Sequence, residues 1–223
     1  MLSEKPEFRG IYKCSLATYT VLSKISSREI VLVKAAAGLA RRLPVMVATQ
    51  QLSLAYVQLR QFVELAVWVP YFKEHAVEWT QFLNSPSVGL SSDQDFPFKY
   101  AAHRELSWYF AYAKERFEND LTGIVGEELS NLRTQLPVLS PNAHAAYGAI
   151  QGTFHDAFDK VTTADLRKLQ SVQRIVFSGG VLLILAIMPR KLSKLDAAER
   201  AWLDWLIRSK RAKQLRGDDF GIR

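Results

Sequence analysis

A chain of 223 residues, of which 48% are hydrophobic and 23% charged, is long enough to bury one sizeable core and is not intrinsically disordered. Its single cysteine, Cys14, excludes an internal disulfide, and no Cys/His cluster has the spacing of a zinc site. The first residues contain acids and a proline but no apolar run, so we expect no secretory signal. The expectation is a cytoplasmic protein with no metal and no cofactor.

The net charge of +7 is concentrated near the end of the chain. Over residues 190–223, ten Lys and Arg residues stand against five Asp and Glu residues, which gives +5 and leaves +2 for the other 189 residues. A clustered positive field attracts polyanions at long range, and salt weakens it. The alternative is a solvated helix with spare cations. The residues predicted to contact nucleic acid are Arg190, Lys191, Lys194, Arg208, Lys210, Arg211, Lys213 and Arg216.

Helix start signals recur along the chain with few strand signals, which predicts an all-α, multi-helix bundle formed as one domain. Residues 1–14 are predicted to be an N-terminal extension. Ser26 and Glu29 have the spacing of a capping box, and the helix that follows should end near Leu43, because Pro44 comes next.

A long apolar pattern predicts a core helix over residues 45–69. Pro70 lacks an amide donor, so we expect a kink or a restart there, with a second segment that reaches about Leu83. Prolines, a glycine and a polar run predict a loop over residues 84–97. The aromatic residues of 98–119 then predict a helix that packs in the core.

A weaker helix is predicted over residues 120–136, and Pro137 should end it. Ser140 followed by Pro141 has the form of a new helix start, with a helix that continues to about Lys160.

Two capping boxes are predicted near the end of the chain. Thr162 and Asp165 should open a long helix through Met188, and Asp196 and Glu199 should open a basic C-terminal helix. The last residues, 217–223, are predicted to be a frayed tail.

The most hydrophobic stretch is residues 175–188, which invites a membrane interpretation. Fourteen helical residues rise only about 21 Å, short of a hydrocarbon core of about 30 Å, so a long buried central helix is the better prediction. Within it, Gly179 and Gly180 remove side chains at consecutive positions and indicate close approach of another helix. A phosphate-binding glycine loop would need a preceding strand, which is absent from the pattern.

The polar residues singled out as candidates are Arg60, Glu64 and His155. Arg60 and Glu64 are four residues apart, so their side chains can pair on one helix face. If the pair is partly buried, a third polar partner from another helix is expected, since an uncompensated buried charge is costly. A structural ion pair and a functional polar cluster both fit. No two of the four histidines have the spacing of metal ligands on one helix face.

The segment 59–64, the run 71–75 and the small-residue helix bearing His155 resemble the HEPN-like helical bundles of bacteria, over roughly residues 52–186. The resemblance implies ribonucleases, toxins, and defence or accessory proteins, whose active nucleases are dimers that carry an Arg, four to six residues, then His. No arginine precedes any histidine of this chain at that spacing. What carries over is Arg60 and Glu64 on one helix with His155 on a later one.

Three functions are therefore expected in order. The first is a non-catalytic accessory bundle of a defence or toxin-type system, which binds a protein partner or a second copy, and nucleic acid through its basic C-terminal helix. The second is a metal-independent ribonuclease in which His155 is the acid or base and Arg60 or Arg104 stabilises the phosphorane charge. The third, and least favoured, is a membrane-associating effector that uses residues 175–188.

Overall fold

The computed structural model describes residues 4–25, 31–84, 106–117, 124–144 and 161–207. All regular elements in these segments are helical, so the all-α prediction is confirmed. In chain order the helices are α1 Pro6–Ile25, α2 Val31–Ala48, α3 Leu52–Glu74, α4 Ala76–Asn84, α5 Leu106–Phe117, α6 Ile124–His144, α7 Thr163–Ile187, a 3-10 helix Pro189–Lys194, and α8 Ala197–Leu206.

Helix α7 is the centre of the bundle and packs against α1, α3 and α6, with α2 added outside α1 and α3. Every residue from Gly179 to Leu185 is buried, as the sequence predicts for a buried central helix. Among the described residues, α7 is also the one helix long and apolar enough to cross a membrane. Because 67% of its apolar window is buried inside the protein, α7 has the character of a core helix.

The two consecutive glycines of α7 face two different helices. A Cβ on Gly180 would lie 2.5 Å from Cε1 of Phe62 in α3, and a Cβ on Gly179 would lie 3.2 Å from Cγ of Leu132 in α6. Phe62 also packs on Phe177, with ring centroids 4.7 Å apart. The close approach predicted from the glycine pair is therefore confirmed, because the side chains of Phe62 and Leu132 pack directly against the backbone of α7.

Both predicted capping boxes are present. The hydroxyl of Thr162 accepts from the amide of Asp165, whose carboxylate accepts from the amide of Thr162. Asp196 and Glu199 make the same reciprocal pair at the start of α8. Each box satisfies two amides that a helix start leaves without intrahelical acceptors, which fixes where α7 and α8 begin.

The prolines predicted to end or interrupt helices lie inside them. Helix α2 continues through Pro44 to Ala48, and α3 continues through Pro70 to Glu74. Helix α6 contains Pro137 and Pro141, so Ser140 lies within a helix and does not start one. A proline in a helix interior costs about 3 kcal/mol. Pro44 and Pro70 are themselves buried, and that apolar burial offsets the lost hydrogen bond.

The predicted break at Pro44 lies instead at residues 49–51. The amide of Gln51 donates to the carbonyl of Met46 (2.8 Å), and the amide of Gln50 donates to that of Val47 (3.0 Å). This is a Schellman ending, in which Gln50 takes the left-handed position with φ of 61°. The following helix therefore begins at Leu52 and not at residue 45.

Of the predicted N-terminal extension, residues 6–14 form the first half of α1, and residues 1–3 lie outside the described residues. Ile11 and Cys14 are buried, and the Nε2 of Gln173 in α7 donates to the carbonyl of Ile11 (3.0 Å) and to the hydroxyl of Ser15 (2.8 Å). The predicted Ser26 cap, the 84–97 loop beyond Asn84 and the 217–223 tail lie outside the described residues.

Candidate functional site

Arg60 and Glu64 form the ion pair that their spacing predicts. The Nε of Arg60 donates to Oε1 of Glu64 (2.9 Å), and the Nη1 of Arg60 donates to the hydroxyl of Ser140 in α6 (2.9 Å). The Arg60 side chain is 12% exposed and that of Glu64 31%. The expected third polar partner from another helix is therefore Ser140, which accepts a hydrogen bond from the largely buried arginine.

This arrangement links α3 to α6 and commits the guanidinium of Arg60 to protein partners. The two other candidates for catalysis, Arg104 and His155, lie outside the described residues. The described part of the cluster links two helices, and in its ion pair Glu64 is more exposed than Arg60.

A second polar cluster, which the sequence did not single out, lies at the C-terminal end of α3. The rings of Tyr71 and His75 stack with centroids 4.0 Å apart, and Nδ1 of His75 lies 2.9 Å from the carbonyl oxygen of Tyr71. A carbonyl only accepts, so Nδ1 of His75 is the donor in this contact. The hydroxyl of Tyr71 donates to Glu78 of α4.

Glu74 connects the same end of α3 to α5. It accepts from the hydroxyl of Tyr112 (2.6 Å) and from the Nε of Arg116 (3.0 Å). Burial opposes ionisation of Glu74, but the hydrogen bonds from Tyr112 and Arg116 outweigh it and hold the pKa of this carboxyl below its usual value. Burial, together with the hydrogen bond to Glu74, raises the pKa of Tyr112. Glu74, Tyr112 and Arg116 satisfy one another's hydrogen-bonding groups, so this cluster holds the end of α3 against α5.

The sequence contained a partial signal for this second cluster. Tyr71 and His75, and likewise Tyr112 and Arg116, are spaced by four residues, which places each pair on one helix face. The interruption predicted at Pro70 separated Tyr71 from the helix that carries it, and the meeting of α3 with α5 depends on tertiary packing. The aromatic residues of α5 do pack in the core as predicted, with Tyr109 and Phe110 buried.

Of the predicted basic residues, Lys191 and Lys194 are described with their side chains, half-buried and exposed respectively, on the 3-10 helix after α7. Arg190 lies on the same 3-10 helix, and Arg208, Lys210, Arg211, Lys213 and Arg216 lie outside the described residues.

Helix α8, which precedes those last cations, packs on α1 through aromatic rings that face cations. The Nζ of Lys13 lies 4.6 Å from the ring centroid of Trp205, and the guanidinium carbon of Arg174 lies 5.6 Å from it. Trp202 packs edge-on against Trp205. Lys24 near the end of α1 also pairs with Glu199 of α8 (3.3 Å). Helix α8, which leads into the last cations of the chain, is thus attached to the bundle near its start through Glu199 and near its end through Trp205.

Within the described part of the chain, no group of three His, Cys, Asp or Glu residues is arranged to hold a metal ion. Burial raises the pKa of the Cys14 thiol to about 12, which makes it inert as a nucleophile. In comparisons with known proteins, no family model, no curated protein and no solved structure matches this chain.

Proposed function

We propose that this protein is a non-catalytic accessory bundle that binds nucleic acid through its basic C-terminal segment and assembles with a protein partner or a second copy. The observation that carries this proposal is the anchored α8. Its capping box at Asp196 and its contacts at Trp205 fix the residue from which the cations of 208–216 continue. A fixed starting point lowers the entropy lost when those cations are ordered on phosphates.

The charge of the segment supports the same ligand class. Lys194 is exposed and has no carboxylate partner among the described residues, and the remaining C-terminal cations outnumber the acids. Lysine and arginine side chains of this kind would bind phosphates and not base edges. We therefore expect nucleic-acid binding that is weakly selective for sequence and strongly dependent on salt.

Two observations weigh against the alternatives. The ribonuclease hypothesis assigns charge stabilisation to Arg60 or Arg104, and Arg60 already donates to Glu64 and Ser140. The membrane hypothesis needs α7 to leave a core in which most of its apolar window is buried. Each alternative would require the bundle to rearrange or to use residues outside the described segments.

The test is fluorescence anisotropy of labelled RNA and DNA against the full-length protein, over salt from about 50 to about 200 mM. A tail variant, Arg208→Gln/Lys210→Gln/Arg211→Gln, should lower the affinity and reduce the slope of log K against log salt by about 0.7 to 0.9 for each lost contact. A wild-type protein whose affinity does not change with salt contradicts the proposal.

A matched control removes the same amount of charge from cations that already have carboxylate partners. The paired-cation variant, Lys24→Gln/Arg116→Gln/Arg167→Gln, replaces residues bonded to Glu199, Glu74 and Glu7. We expect it to change nucleic-acid affinity much less than the tail variant.

Native mass spectrometry of the protein co-expressed with its genomic neighbours tests assembly. A protein that is monomeric at all concentrations contradicts the proposed binding of a protein partner or a second copy.

A further inference from the structure

Helix α2 has cations as its only charged residues, and it also exposes Val31 and Val45. Its eighteen residues include Lys34, Arg41 and Arg42 and no acidic residue, and all three of these side chains are exposed. Positions separated by seven and eight residues fall on the same side of a helix. We call Lys34, Arg41 and Arg42, together with the half-buried Gly38 between them, the α2 cationic face.

The cations of this face have no carboxylate partner among the described residues. Elsewhere on the bundle surface, exposed cations such as Arg116 and Arg167 each lie 3.0 Å from a carboxylate oxygen. On α2, the ring of Tyr19 lies beside one of these cations, with its centroid 5.5 Å from the guanidinium carbon of Arg41. The positive field of α2 is therefore not neutralised locally.

The shape of the face suits an extended anionic backbone. Lys34 and Arg41 are separated by about 10.5 Å along the helix axis, and the same length of duplex axis contains about three phosphates of one strand. Gly38 lies between them, and no heavy atom comes within 4 Å of the place where its Cβ would be. A strand can thus approach the helix backbone between the two cationic ends.

We infer that the α2 cationic face binds the phosphate backbone of nucleic acid, as a second contact surface beside the basic C-terminal segment. The inference rests on the proposed function for its ligand class. An anionic membrane is the less suitable occupant, because a helix that lies on a bilayer inserts its apolar side. The apolar side of α2, including Leu32, Ala36, Ala40 and Leu43, is buried against α1 and α3.

The test compares three variants of the full-length protein that each lose three positive charges. The face variant is Lys34→Gln/Arg41→Gln/Arg42→Gln, and it is measured beside the tail variant and the paired-cation variant with the same labelled RNA and DNA. We expect the face variant to reduce the salt slope by about 0.7 to 0.9 for each contact, and the paired-cation variant to leave it nearly unchanged. Thermal melting by circular dichroism checks that each variant is folded.

The outcomes separate the inference from the proposed function. If the tail variant weakens binding and the face variant matches the paired-cation variant, the inference is wrong and the proposed function stands. If the face variant weakens binding and the tail variant does not, the inference stands and the assignment to the tail is wrong. If the wild-type protein binds neither RNA nor DNA, the inference is overturned. It is also overturned if the face variant keeps its nucleic-acid affinity and loses only binding to phosphatidylserine vesicles.

Discussion

Gly180 in α7 lies so close to Phe62 in α3 that a Cβ on the glycine would come 2.5 Å from Cε1 of the ring. Since Phe62 is itself fully buried and packs on Phe177, the ring has little room to move away. We expect Gly180→Ala to destabilise the protein by about 1 to 3 kcal/mol, in spite of the better helix propensity of alanine. Urea unfolding followed by circular dichroism measures this change.

Gly38→Ala is the matched control, because no heavy atom lies within 4 Å of the place where the new Cβ would be. Only the backbone propensity then acts, and the expected result is stabilisation by about 0.5 to 1 kcal/mol. Two alanine variants with the same sign would contradict the assignment of Gly180 to a close contact.

The contrast between these glycines and the prolines explains how much of the fold the sequence could predict. Gly179 and Gly180 lie within a strongly apolar run, so their burial and the close approach of other helices could be predicted from the local sequence. The caps at Thr162 and Asp196 could be predicted in the same way. The helix end predicted at Pro44 was wrong, and so was the restart that was one of the two alternatives at Pro70, because local rules consider only the backbone hydrogen bond that a proline cannot make. They do not consider the apolar burial of each proline in the folded bundle.

Gln50 is the one non-glycine residue with positive φ among the described residues. A left-handed conformation costs a residue with a Cβ about 1 to 2 kcal/mol, although glycine loses more backbone entropy on folding. Gln50→Gly should therefore stabilise the protein by about 0.5 to 1 kcal/mol, and Gln50→Val should destabilise it. Thermal melting of both variants gives the test, and a lower melting temperature for Gln50→Gly would contradict the proposed Schellman ending.

Ser140 provides the interhelical partner of Arg60, so its removal should leave a largely buried guanidinium nitrogen without an acceptor. We expect Ser140→Ala to cost about 1 to 3 kcal/mol. In an Arg60→Leu background the same substitution should cost much less, because the interaction has already been lost. Additive effects in this double-mutant cycle would show that the hydrogen bond contributes nothing to stability.

The Arg60 cluster also shows where prediction of the site ended. Arg60 and Glu64 are one helical turn apart and were found from their spacing, and the burial of an arginine implied a further partner. Nothing local pointed to Ser140, which lies 80 residues away and precedes a proline in a pattern typical of a helix start. For the same reason, the contact between Glu74 and Tyr112 was not predicted, because it depends on the packing of α5 against α3.

Glu128 of α6 should make stability depend on pH. Burial raises the pKa of this carboxyl, and the hydrogen bond with Asn131 offsets this only in part. A carboxyl with a raised folded-state pKa stabilises the fold below its unfolded pKa, near 4.5, and this stability is lost as pH rises through the folded-state pKa. Glu128→Gln should therefore stabilise the protein at pH 7 and have little effect near pH 4. Urea unfolding at the two pH values tests this sign, and an equal effect at both would contradict it.

Trp205 connects stability to the proposed function, because its ring receives Lys13 and Arg174 at the point where the basic segment continues from the bundle. Trp205→Ala removes both cation–π contacts and the packing of a half-buried ring, so we expect a loss of about 2 kcal/mol. The same variant should weaken nucleic-acid binding at a temperature where it remains folded, since α8 is then anchored less firmly at the end from which the chain continues to the cations of 208–216. Trp205→Phe keeps an aromatic ring, so its stability and its nucleic-acid affinity should lie between those of the wild type and those of Trp205→Ala. Unchanged affinity in a folded Trp205→Ala variant would mean that the segment binds without being positioned by α8.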